Sequence, residues 1–491
     1  MVKKTLAILV VLFVMICAFA CAPEGEVKVD KTATTDLEAS EDSAADEAFN
    51  KKYAPELPEH DFGGAKITFL INSGFWGPPD IEIEEITEEL KGELVDEAAY
   101  RRNRNMEERY NFKINALYRD DAHNVAVREV KSGGRTYDAA FIGMYLAAPA
   151  AQQNSFIDLF EVPNINFDKY YWDQSAKEAF TIDKKLYFAV NDMSIRHLQA
   201  TFILLYNKTV AENLGVEAFY PLVFEGRWTM DKFAELSKNV SRSLTGKDKL
   251  GPGDFWAFAT QRECYFAFLY GAGGRFMDKD DADFPVLRPA DEKLNNVVAK
   301  INGIMNQNNI TINAHDHLGP NNEFVTFDIF NEDRALFFGS TTSNFTQFRN
   351  MPSDFGVLPM PKYDEAQKNY NTYVYHGATV AVIPNNLDEG EQFFAGFVLE
   401  ALSAESRRLV IPAFYDITLK VKYSRDDESS QVLDLIFENR SYDLMYVNNF
   451  GGLRDDFESR LTSGNLNVMS LYESKEKAVQ RAIDKYVDSF R

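Results

Sequence analysis

The chain has 491 residues, of which 45% are apolar and 26% are charged. This is an ordinary globular balance, and it excludes fibrous and wholly disordered proteins. At roughly 100–200 residues per domain, the length predicts about two to four domains. The 52 Lys and Arg against 75 Asp and Glu give a formal charge of −23. A surface this acidic repels phosphates, so general nucleic-acid binding is disfavoured.

The first twenty residues predict a secretion signal rather than a part of the fold. Two lysines precede an apolar run over residues 6–20, which is too short to cross a bilayer. The run ends in Ala18-Phe19-Ala20-Cys21. These residues resemble a bacterial lipobox, in which the cysteine becomes the lipid-bearing N-terminus, and secretion without a lipid is the alternative. Elsewhere in the chain no apolar stretch reaches the about 18 residues that a membrane-spanning helix needs.

Residues 21–60 are predicted to form a disordered, acidic tether behind the lipid anchor. The part from 24 to 50 holds nine acids, two lysines and a single Phe, a composition that cannot bury a core. With the signal removed and Cys21 lipidated, Cys264 is the one cysteine left. We therefore expect neither an internal disulfide nor a cysteine-based zinc site.

Alternating strand and helix patterns begin near residue 65. Strands are predicted at 67–71, 112–118 and 139–142, and helices at 93–110 and 121–131. This βαβαβ order predicts a doubly wound α/β sheet with parallel strands.

In open α/β sheets, ligands bind at the carboxyl ends of the strands. The loop after the first predicted strand carries Trp76, and the loop after the third carries Tyr145, each close to glycine. These two aromatic residues are therefore the first candidates for ligand contact.

A helix predicted from Thr229 to Val240 carries a signal for its own N-terminus. Thr229 is a good N-cap residue, and Trp228 is spaced to pack on Phe233 as a hydrophobic staple. Trp228 is accordingly interpreted as a structural residue.

Several segments share an order and spacing that is informative when they are taken together. They are Val-Asp-Glu-Ala-Ala-Tyr-Arg-Arg-Asn at 95–103, Tyr-Asp-Ala-Ala-Phe at 137–141, Leu-Leu-Tyr-Asn-Lys at 204–208, Glu-Gly-Arg-Trp-Thr at 225–229 and Asp-Phe-Gly-Val-Leu-Pro-Met-Pro at 354–361. From about residue 61 to its end, the chain resembles the bacterial extracellular solute-binding proteins that feed sugars to ABC importers.

The resemblance implies a periplasmic-binding-protein-like α/β fold, in which two doubly wound lobes are joined by hinge crossovers around a ligand cleft. By that analogy the N-terminal lobe comprises 61–178 plus 340–378, the C-terminal lobe comprises 179–339 plus 379–491, and the hinges lie near 187–190, 337–339 and 377–380.

The resemblance also implies how such a protein works. We expect a monomer that is lipid-anchored at the extracellular face of the membrane and that binds a carbohydrate, in the first instance an oligosaccharide. Hinge closure would deliver the sugar to the permease subunits in the membrane. Neither covalent chemistry nor a cofactor is expected.

A sugar offers C–H faces to aromatic rings and hydroxyl groups to hydrogen-bond partners. The candidate ligand residues therefore combine aromatic and polar side chains near the predicted loops and crossovers: Trp76, Tyr145, Asn191, Asp192, Trp256, Tyr270, Gly339, Ser340, Tyr375, His376 and Tyr415. For each of them, packing in the core is the alternative interpretation.

Two segments invite a metal-site interpretation, which we reject. The acidic stretch 278–283 lacks the Gly and the terminal Glu of an EF-hand. In His315-Asp316-His317 the three adjacent side chains do not converge on one face. Both segments are interpreted as loops, and no metal site is predicted.

Other function classes stay open on the sequence alone. Among 75 acids a pair suited to glycoside hydrolysis can always be found. A surface adhesin or a sensor domain is a third class. Within the binding class, peptides, polyamines and metals are alternative ligands.

Overall fold

The computed structural model describes residues 54–73, 94–306, 309–318, 324–420 and 427–489. The predicted signal sequence, the predicted lipidation site Cys21 and the candidate Trp76 lie outside these residues. Within them, no helix combines the length and the apolar character needed to cross a membrane.

Strands and helices alternate through most of the described chain. The strands are β1 (Ala65–Asn72), β2 (Phe112–Arg119), β3 (Ala139–Gly143), β4 (Phe202–Asn207), β5 (Trp256–Thr260), β6 (Met277–Lys279), β7 (Pro285–Leu287), β8 (Thr311–Asn313), β9 (Ala335–Thr341), β10 (Phe355–Leu358), β11 (Thr372–Tyr373), β12 (Thr379–Val382) and β13 (Arg440–Ser441). The α-helices are α1 (Leu94–Tyr110), α2 (Ala122–Ser132), α3 (Met144–Ala151), α4 (Gln174–Phe180), α5 (Arg196–Gln199), α6 (Lys208–Leu214), α7 (Phe219–Phe224), α8 (Met230–Ser237), α9 (Cys264–Gly271), α10 (Glu292–Met305), α11 (Val325–Asn331), α12 (Glu389–Lys420), α13 (Asp427–Glu438), α14 (Leu444–Asn448), α15 (Leu453–Thr462) and α16 (Val468–Asp488).

The first sheet has four strands in the order β12-β3-β1-β2. Strand β1 runs parallel to both β2 and β3, so the predicted βαβαβ start is confirmed. All five residues of β3 are buried, as expected for a parallel strand that is covered on both faces. Helix α2 ends where Gly133 adopts a left-handed conformation with φ 71°, which glycine accommodates without strain.

The second sheet has five strands in the order β10-β4-β9-β5-β8. Strand β4 runs antiparallel to β9 and β10, whereas β5 runs parallel to β8 and β9. We call the elements around the first and second sheets the first and second lobe. The predicted α/β class with two lobes is confirmed.

The expected lobe boundaries are wrong for two strands near the C-terminal half of the chain. Strand β10, expected in the first lobe, pairs with β4 of the second sheet. Strand β12, expected in the second lobe, pairs with β3 of the first sheet. Helix α12 follows β12 and packs on the first lobe, where the ring of Phe397 lies 4.8 Å from that of Tyr110.

Two of the segments that connect the lobes lie next to each other. Backbone bridges join Ala189 to Ala381 and Thr201 to Val374, so the crossing segments run side by side. The expected hinges at 187–190 and 377–380 lie at these crossings. The expected hinge at 337–339 does not, because it lies inside β9 with strands paired on both sides.

The predicted helix start at Thr229 is confirmed. The Thr229 hydroxyl accepts a hydrogen bond from the backbone N–H of Lys232 at 3.2 Å. Trp228 is fully buried, and its ring lies 6.0 Å from that of Phe233. Trp228 is therefore part of the core of the second lobe.

The end of the predicted tether lies against the first lobe. Glu56 forms an ion pair with Lys169 at 2.8 Å, and the ring of His60 lies 5.5 Å from that of Phe393. The expected boundary at residue 60 is therefore too late, because residues from Glu56 on already contact the folded body.

Candidate functional site

Three of the predicted ligand residues meet where the lobes face each other. Tyr145 follows the carboxyl end of β3, and its backbone N–H donates to the carbonyl of His376 at 3.3 Å. The rings of these two residues are 5.1 Å apart in an edge-to-face arrangement. Tyr375 lies beside them, with its ring 4.3 Å from that of His376.

A glycine at the end of β3 makes room for the Tyr145 ring. A Cβ on Gly143 would lie 3.2 Å from that ring, which is closer than side chains usually approach. The strand passes directly into α3, whose first turn holds the half-buried ring of Tyr145 against the backbone of Gly143. The loop predicted after this strand is therefore a helix start.

Tyr446 lies at the centre of the site and was missed by the sequence analysis. Its ring is 4.8 Å from that of His376 and 4.9 Å from that of Tyr373. Behind it, the predicted residue Tyr270 stacks on Tyr373 at 5.4 Å with nearly parallel planes. Tyr446, Tyr373 and Tyr270 are all buried, so they form the floor on which the more exposed rings rest. We call Tyr145, Tyr375, His376 and Tyr446 the aromatic cluster.

His376 acts as a neutral ring in this cluster. Burial, with the nearby charge of Arg454, lowers its pKa to about 3. Its Nδ1 atom is buried and has no hydrogen-bond partner within the described part of the chain. A neutral imidazole with an unused nitrogen can hydrogen-bond to a ligand.

Charged residues of the second lobe stand next to the aromatic cluster. Glu263 follows the carboxyl end of β5, and His315 follows that of β8. The Nδ1 atom of His315 accepts from the backbone N–H of Arg262 at 3.2 Å, which leaves the proton on Nε2. That Nε2 atom lies 4.0 Å from Oε1 of Glu263. Burial raises the pKa of Glu263.

Helix α15 supplies the remaining charges. The guanidinium of Arg454 lies 5.6 Å from the ring centre of Tyr446 and donates to the carbonyl of that residue at 2.8 Å. It also pairs with Asp455 at 2.8 Å. Glu458 is half-buried, and burial together with the charge of Glu263 raises its pKa. We call Glu263, His315, Arg454 and Glu458 the charged rim.

Tyr375 connects the aromatic cluster to the charged rim. After burial, the groups that raise the pKa of its hydroxyl most are Glu263, Tyr145 and Glu458. Side chains from both lobes and from the crossing segment thus surround one point. The arrangement offers ring faces and hydrogen-bonding groups to a ligand.

Gly339 and Ser340 lie in β9, at the same edge of the second sheet. A Cβ on Gly339 would lie 2.7 Å from the hydroxyl of Thr260, so the glycine is needed for close packing between β9 and β5. The buried Ser340 hydroxyl accepts from the amide of Asn344 at 2.7 Å. Both residues have an evident structural role, and ligand contact by them stays a prediction.

Asn191 and Asp192 lie in the crossing segment, away from the aromatic cluster. Both are about 97% buried, with 3% exposed. Asp192 forms an ion pair with Arg407 at 2.5 Å and lies 3.6 Å from His197. Burial, opposed by Arg407, raises the pKa of Asp192 to about 6, and burial lowers the pKa of His197 to about 3.

A second buried ion pair lies beside the first. Arg440 donates to Asp173 at 2.7 and 3.1 Å, and the Tyr442 hydroxyl donates to the same carboxylate at 3.1 Å. Burial alone would raise the pKa of Asp173, but Arg440 and His197 hold it below its usual value. We call the two pairs, together with His197, the hinge ion network.

Trp256 and Tyr415 are also remote from the aromatic cluster. Trp256 begins β5, at the opposite end of that strand from Glu263, and its buried indole donates to the carbonyl of Gly251 at 3.0 Å. The ring of Tyr415 lies 5.2 Å from that of Phe437. Neither residue belongs to the site that we describe.

The rule that ligands bind at the carboxyl ends of strands selects Tyr145, and it also selects Glu263 and His315, which were not among the predicted ligand residues. Glu263 and His315 follow the carboxyl ends of strands in the second sheet, just as Tyr145 does in the first. His315 was considered only as a metal ligand. Within the described residues, no group of three or more His, Cys, Asp or Glu side chains is placed to hold a metal ion.

A family model described as bacterial extracellular solute-binding protein matches residues 87–397. A search of curated proteins found no match to this chain.

Solved structures of binding proteins superpose on most of the chain. The galacto-N-biose-/lacto-N-biose I-binding protein of Bifidobacterium longum, in complex with lacto-N-biose, has a TM-score of 0.56 at 10% identity and covers 87% of this chain and 98% of its own. UgpB from Mycobacterium tuberculosis, in complex with glycerophosphocholine, has 0.55 at 15%, covering 87% and 100%. Lmo0181 from Listeria monocytogenes, in complex with cycloalternan, has 0.52 at 14%, covering 87% and 99%. At these identities the likeness establishes the fold, and the predicted periplasmic-binding-protein-like architecture is confirmed.

Proposed function

The chain belongs to the bacterial extracellular solute-binding protein family, and we propose that it is the carbohydrate receptor of an ABC importer. The observation that carries the proposal is the aromatic cluster beside the charged rim, at the point where the two lobes meet. Tyr145 comes from the first lobe, Tyr375 and His376 from a crossing segment, and Tyr446 from the second lobe.

The chemistry of the site suits a sugar. The C–H faces of a pyranose stack on aromatic rings, and its hydroxyls donate to carboxylates and to imidazole nitrogen. Glu263, Glu458 and Nδ1 of His376 are acceptors of this kind. Because the site draws side chains from both lobes, a bound ligand favours the closed arrangement over the open one.

In this proposal the closed, loaded protein is what a membrane permease recognises. A lipid on Cys21 holds the protein at the outer face of the membrane, and the acidic segment that follows Cys21 separates the folded body from the membrane surface. The ligand complexes of the structural neighbours support the choice of a carbohydrate, since two of the three contain an oligosaccharide. The protein performs no covalent step on the sugar.

Isothermal titration calorimetry of the purified protein tests the proposal. The panel contains neutral and aminated mono- and oligosaccharides, with amino acids, peptides and polyamines alongside. We expect saturable binding of one saccharide class, and a loss of about tenfold or more in affinity for Tyr145→Ala, since one stacked ring contributes roughly 1.4 kcal/mol. Tyr170→Ala is the matched control, because this ring is 61% exposed and outside the site.

Two results would contradict the carbohydrate assignment. Binding of a peptide or a polyamine without binding of any saccharide would move the protein to another ligand class within its family. Release of shortened products from an oligosaccharide would instead establish a glycan-active enzyme.

A further inference from the structure

The two carboxylates of the charged rim, Glu263 and Glu458, lie close together on neighbouring helices. Glu263 directly precedes α9, and Glu458 lies within α15. The helices pack through Phe266 and Phe457, whose rings are 6.5 Å apart. This packing brings the two helices together, and the charge of Glu263 raises the pKa of Glu458, as expected for two neighbouring acids.

Neither carboxylate forms an ion pair with Lys or Arg within the residues that the structure describes. Oε1 of Glu263 lies 4.0 Å from Nε2 of His315, and burial together with the charge of Arg262 lowers the pKa of that histidine. The Glu263 carboxylate also accepts from its own backbone N–H, and the nearby charge of Arg262 opposes the effect of burial on its pKa. The Oε2 atom of Glu263 is buried without a hydrogen-bond partner. A half-buried carboxylate without a partner is costly, so this pair of acids is incomplete without a ligand.

The nearby guanidinium groups do not complete the pair. Arg454 is held by Asp455 at 2.8 Å and by the carbonyl of Tyr446, so its charge is already matched. The side chain of Arg262 is exposed, where water weakens its charge, but that charge still lowers the pKa of both Glu263 and Glu458. The three carboxylates of Glu263, Glu458 and Asp455 lie near the two guanidinium groups of Arg262 and Arg454, which leaves an excess of one negative charge.

The aromatic cluster also favours a positively charged ligand. Ring faces attract a positively charged group, and the attraction is strongest where the group leaves water. The charge of Glu263 acts on both Tyr375 and Tyr446, and the ring of Tyr145 lies against His376 in the same cluster. A neutral hydroxyl could donate to these acids, whereas a cation would also relieve the repulsion between them.

We propose that the saccharide bound in this cleft carries a positively charged amino group, held between Glu263 and Glu458 with the aromatic cluster against the sugar ring. This inference rests on the proposed function. It narrows the ligand to amino sugars and their oligosaccharides, and it excludes sugars that carry a phosphate or a carboxylate.

Matched sugar pairs test the inference by calorimetry. Glucosamine against glucose, galactosamine against galactose, and the β-1,4-linked glucosamine disaccharide against cellobiose differ in an ammonium group in place of a hydroxyl. At about pH 6.5 the amine is charged. In at least one pair we expect the aminated member to bind about tenfold tighter or more. That preference should shrink between about 0.02 M and about 0.5 M salt.

Two variants assign the preference to the acids. Glu263→Gln and Glu458→Gln keep the side-chain shape and remove the charge, and each should lose most of the preference for the amine while still binding the neutral sugar. Glu473→Gln is the matched control, since Glu473 lies exposed on α16. Melting temperatures measured on all variants show that a lost preference does not come from unfolding.

Several outcomes overturn the inference while leaving the carbohydrate proposal standing. They are equal or tighter binding of the neutral member in every pair, an amine preference that survives both glutamine variants, and neutral-sugar binding that requires added Ca²⁺. Absence of binding by every saccharide, aminated or neutral, contradicts both proposals.

Discussion

Two groups of charged residues lie where the lobes meet, and they differ in how their charges are matched. In the hinge ion network, Asp173 and Asp192 are buried and each has a guanidinium partner. In the charged rim, Glu263 and Glu458 are only half-buried and form no ion pair with Lys or Arg in the described part of the chain. Charges that are matched inside the protein serve its fold, whereas unmatched charges at an opening are available to a ligand.

The comparison has an energetic basis. A buried ion pair contributes little to stability as a whole, because desolvation offsets the attraction, but removal of one partner leaves a buried charge without compensation. Removal of an unmatched charge relieves a cost instead. Substitutions in the two groups are therefore expected to change stability in opposite directions.

The largest effect is expected for Arg440→Met. The Arg440 side chain is 12% exposed and donates twice to Asp173, so the variant leaves that carboxylate without its cation. We expect a loss of about 3–5 kcal/mol in the free energy of unfolding, measured by urea denaturation. The control Arg227→Met removes a solvent-exposed guanidinium that pairs with Glu225, and it should change the free energy of unfolding far less, because water screens such a pair. Similar losses in the two variants would contradict the role of the network.

Glu400 is a third kind of buried acid, which is matched by hydrogen bonds rather than by a cation. It accepts from the Tyr171 hydroxyl at 2.5 Å and from the Trp172 indole at 2.8 Å. Burial, opposed by these bonds, raises its pKa from 4.5 to about 7. The folded state therefore favours the protonated acid, and the stability it contributes is present below about pH 4.5 and is lost as the pH rises through about 7.

This linkage predicts that the contribution of Glu400 to the free energy of unfolding falls by about 3 kcal/mol between pH 4.5 and pH 8, because one pKa unit corresponds to about 1.4 kcal/mol. Glu400→Gln should remove that part of the pH dependence. Urea denaturation of both proteins at several pH values measures it. A variant with the same pH profile as the parent protein would show that hydrogen bonds alone keep the carboxylate ionised.

The sequence predicted the first lobe better than the second. The strands of the first lobe are separated by amphipathic helices, so the period of the apolar residues identifies each element. The four-residue strands β10 and β12 carry no mark of the sheet that they join, and pairing across the crossings decides it. The local sequence therefore gives no indication that β10 belongs to the second lobe and β12 to the first.

The residues of the candidate site were also predictable only in part. The position of Tyr145 at the carboxyl end of β3 could be predicted because that strand was recognised, and the position of Glu263 would have followed by the same rule had β5 been assigned. Tyr446 could not be found, since it lies in a five-residue helix about 300 residues from Tyr145, and only the packing of the two lobes brings them together. Asp192 looked like a hydroxyl acceptor because the sequence does not show that Arg407 lies next to it.

A smaller effect on stability is expected at the aromatic cluster. Tyr145 is half-buried, so Tyr145→Ala should cost about 1 kcal/mol, less than removal of a core aromatic residue. The same change should weaken ligand binding about tenfold or more, as proposed above. Thermal melting without ligand and calorimetry with ligand separate the two effects. A large loss of stability with unchanged binding would make Tyr145 a structural residue.

The smallest effect, and the one of opposite sign, is expected for Glu263→Gln. Since the Oε2 atom of Glu263 is buried without a partner and burial raises the pKa of the carboxyl, a neutral amide of the same shape should leave the unliganded protein equally stable or up to about 1 kcal/mol more stable. Arg440→Met changes a charge at the same meeting of the lobes and should do the reverse. If Glu263 serves ligand binding, Glu263→Gln should raise the melting temperature and weaken the binding of an aminated sugar. A loss of stability in Glu263→Gln comparable to that in Arg440→Met would place Glu263 with the matched charges of the hinge ion network, and the distinction between the two groups would fail.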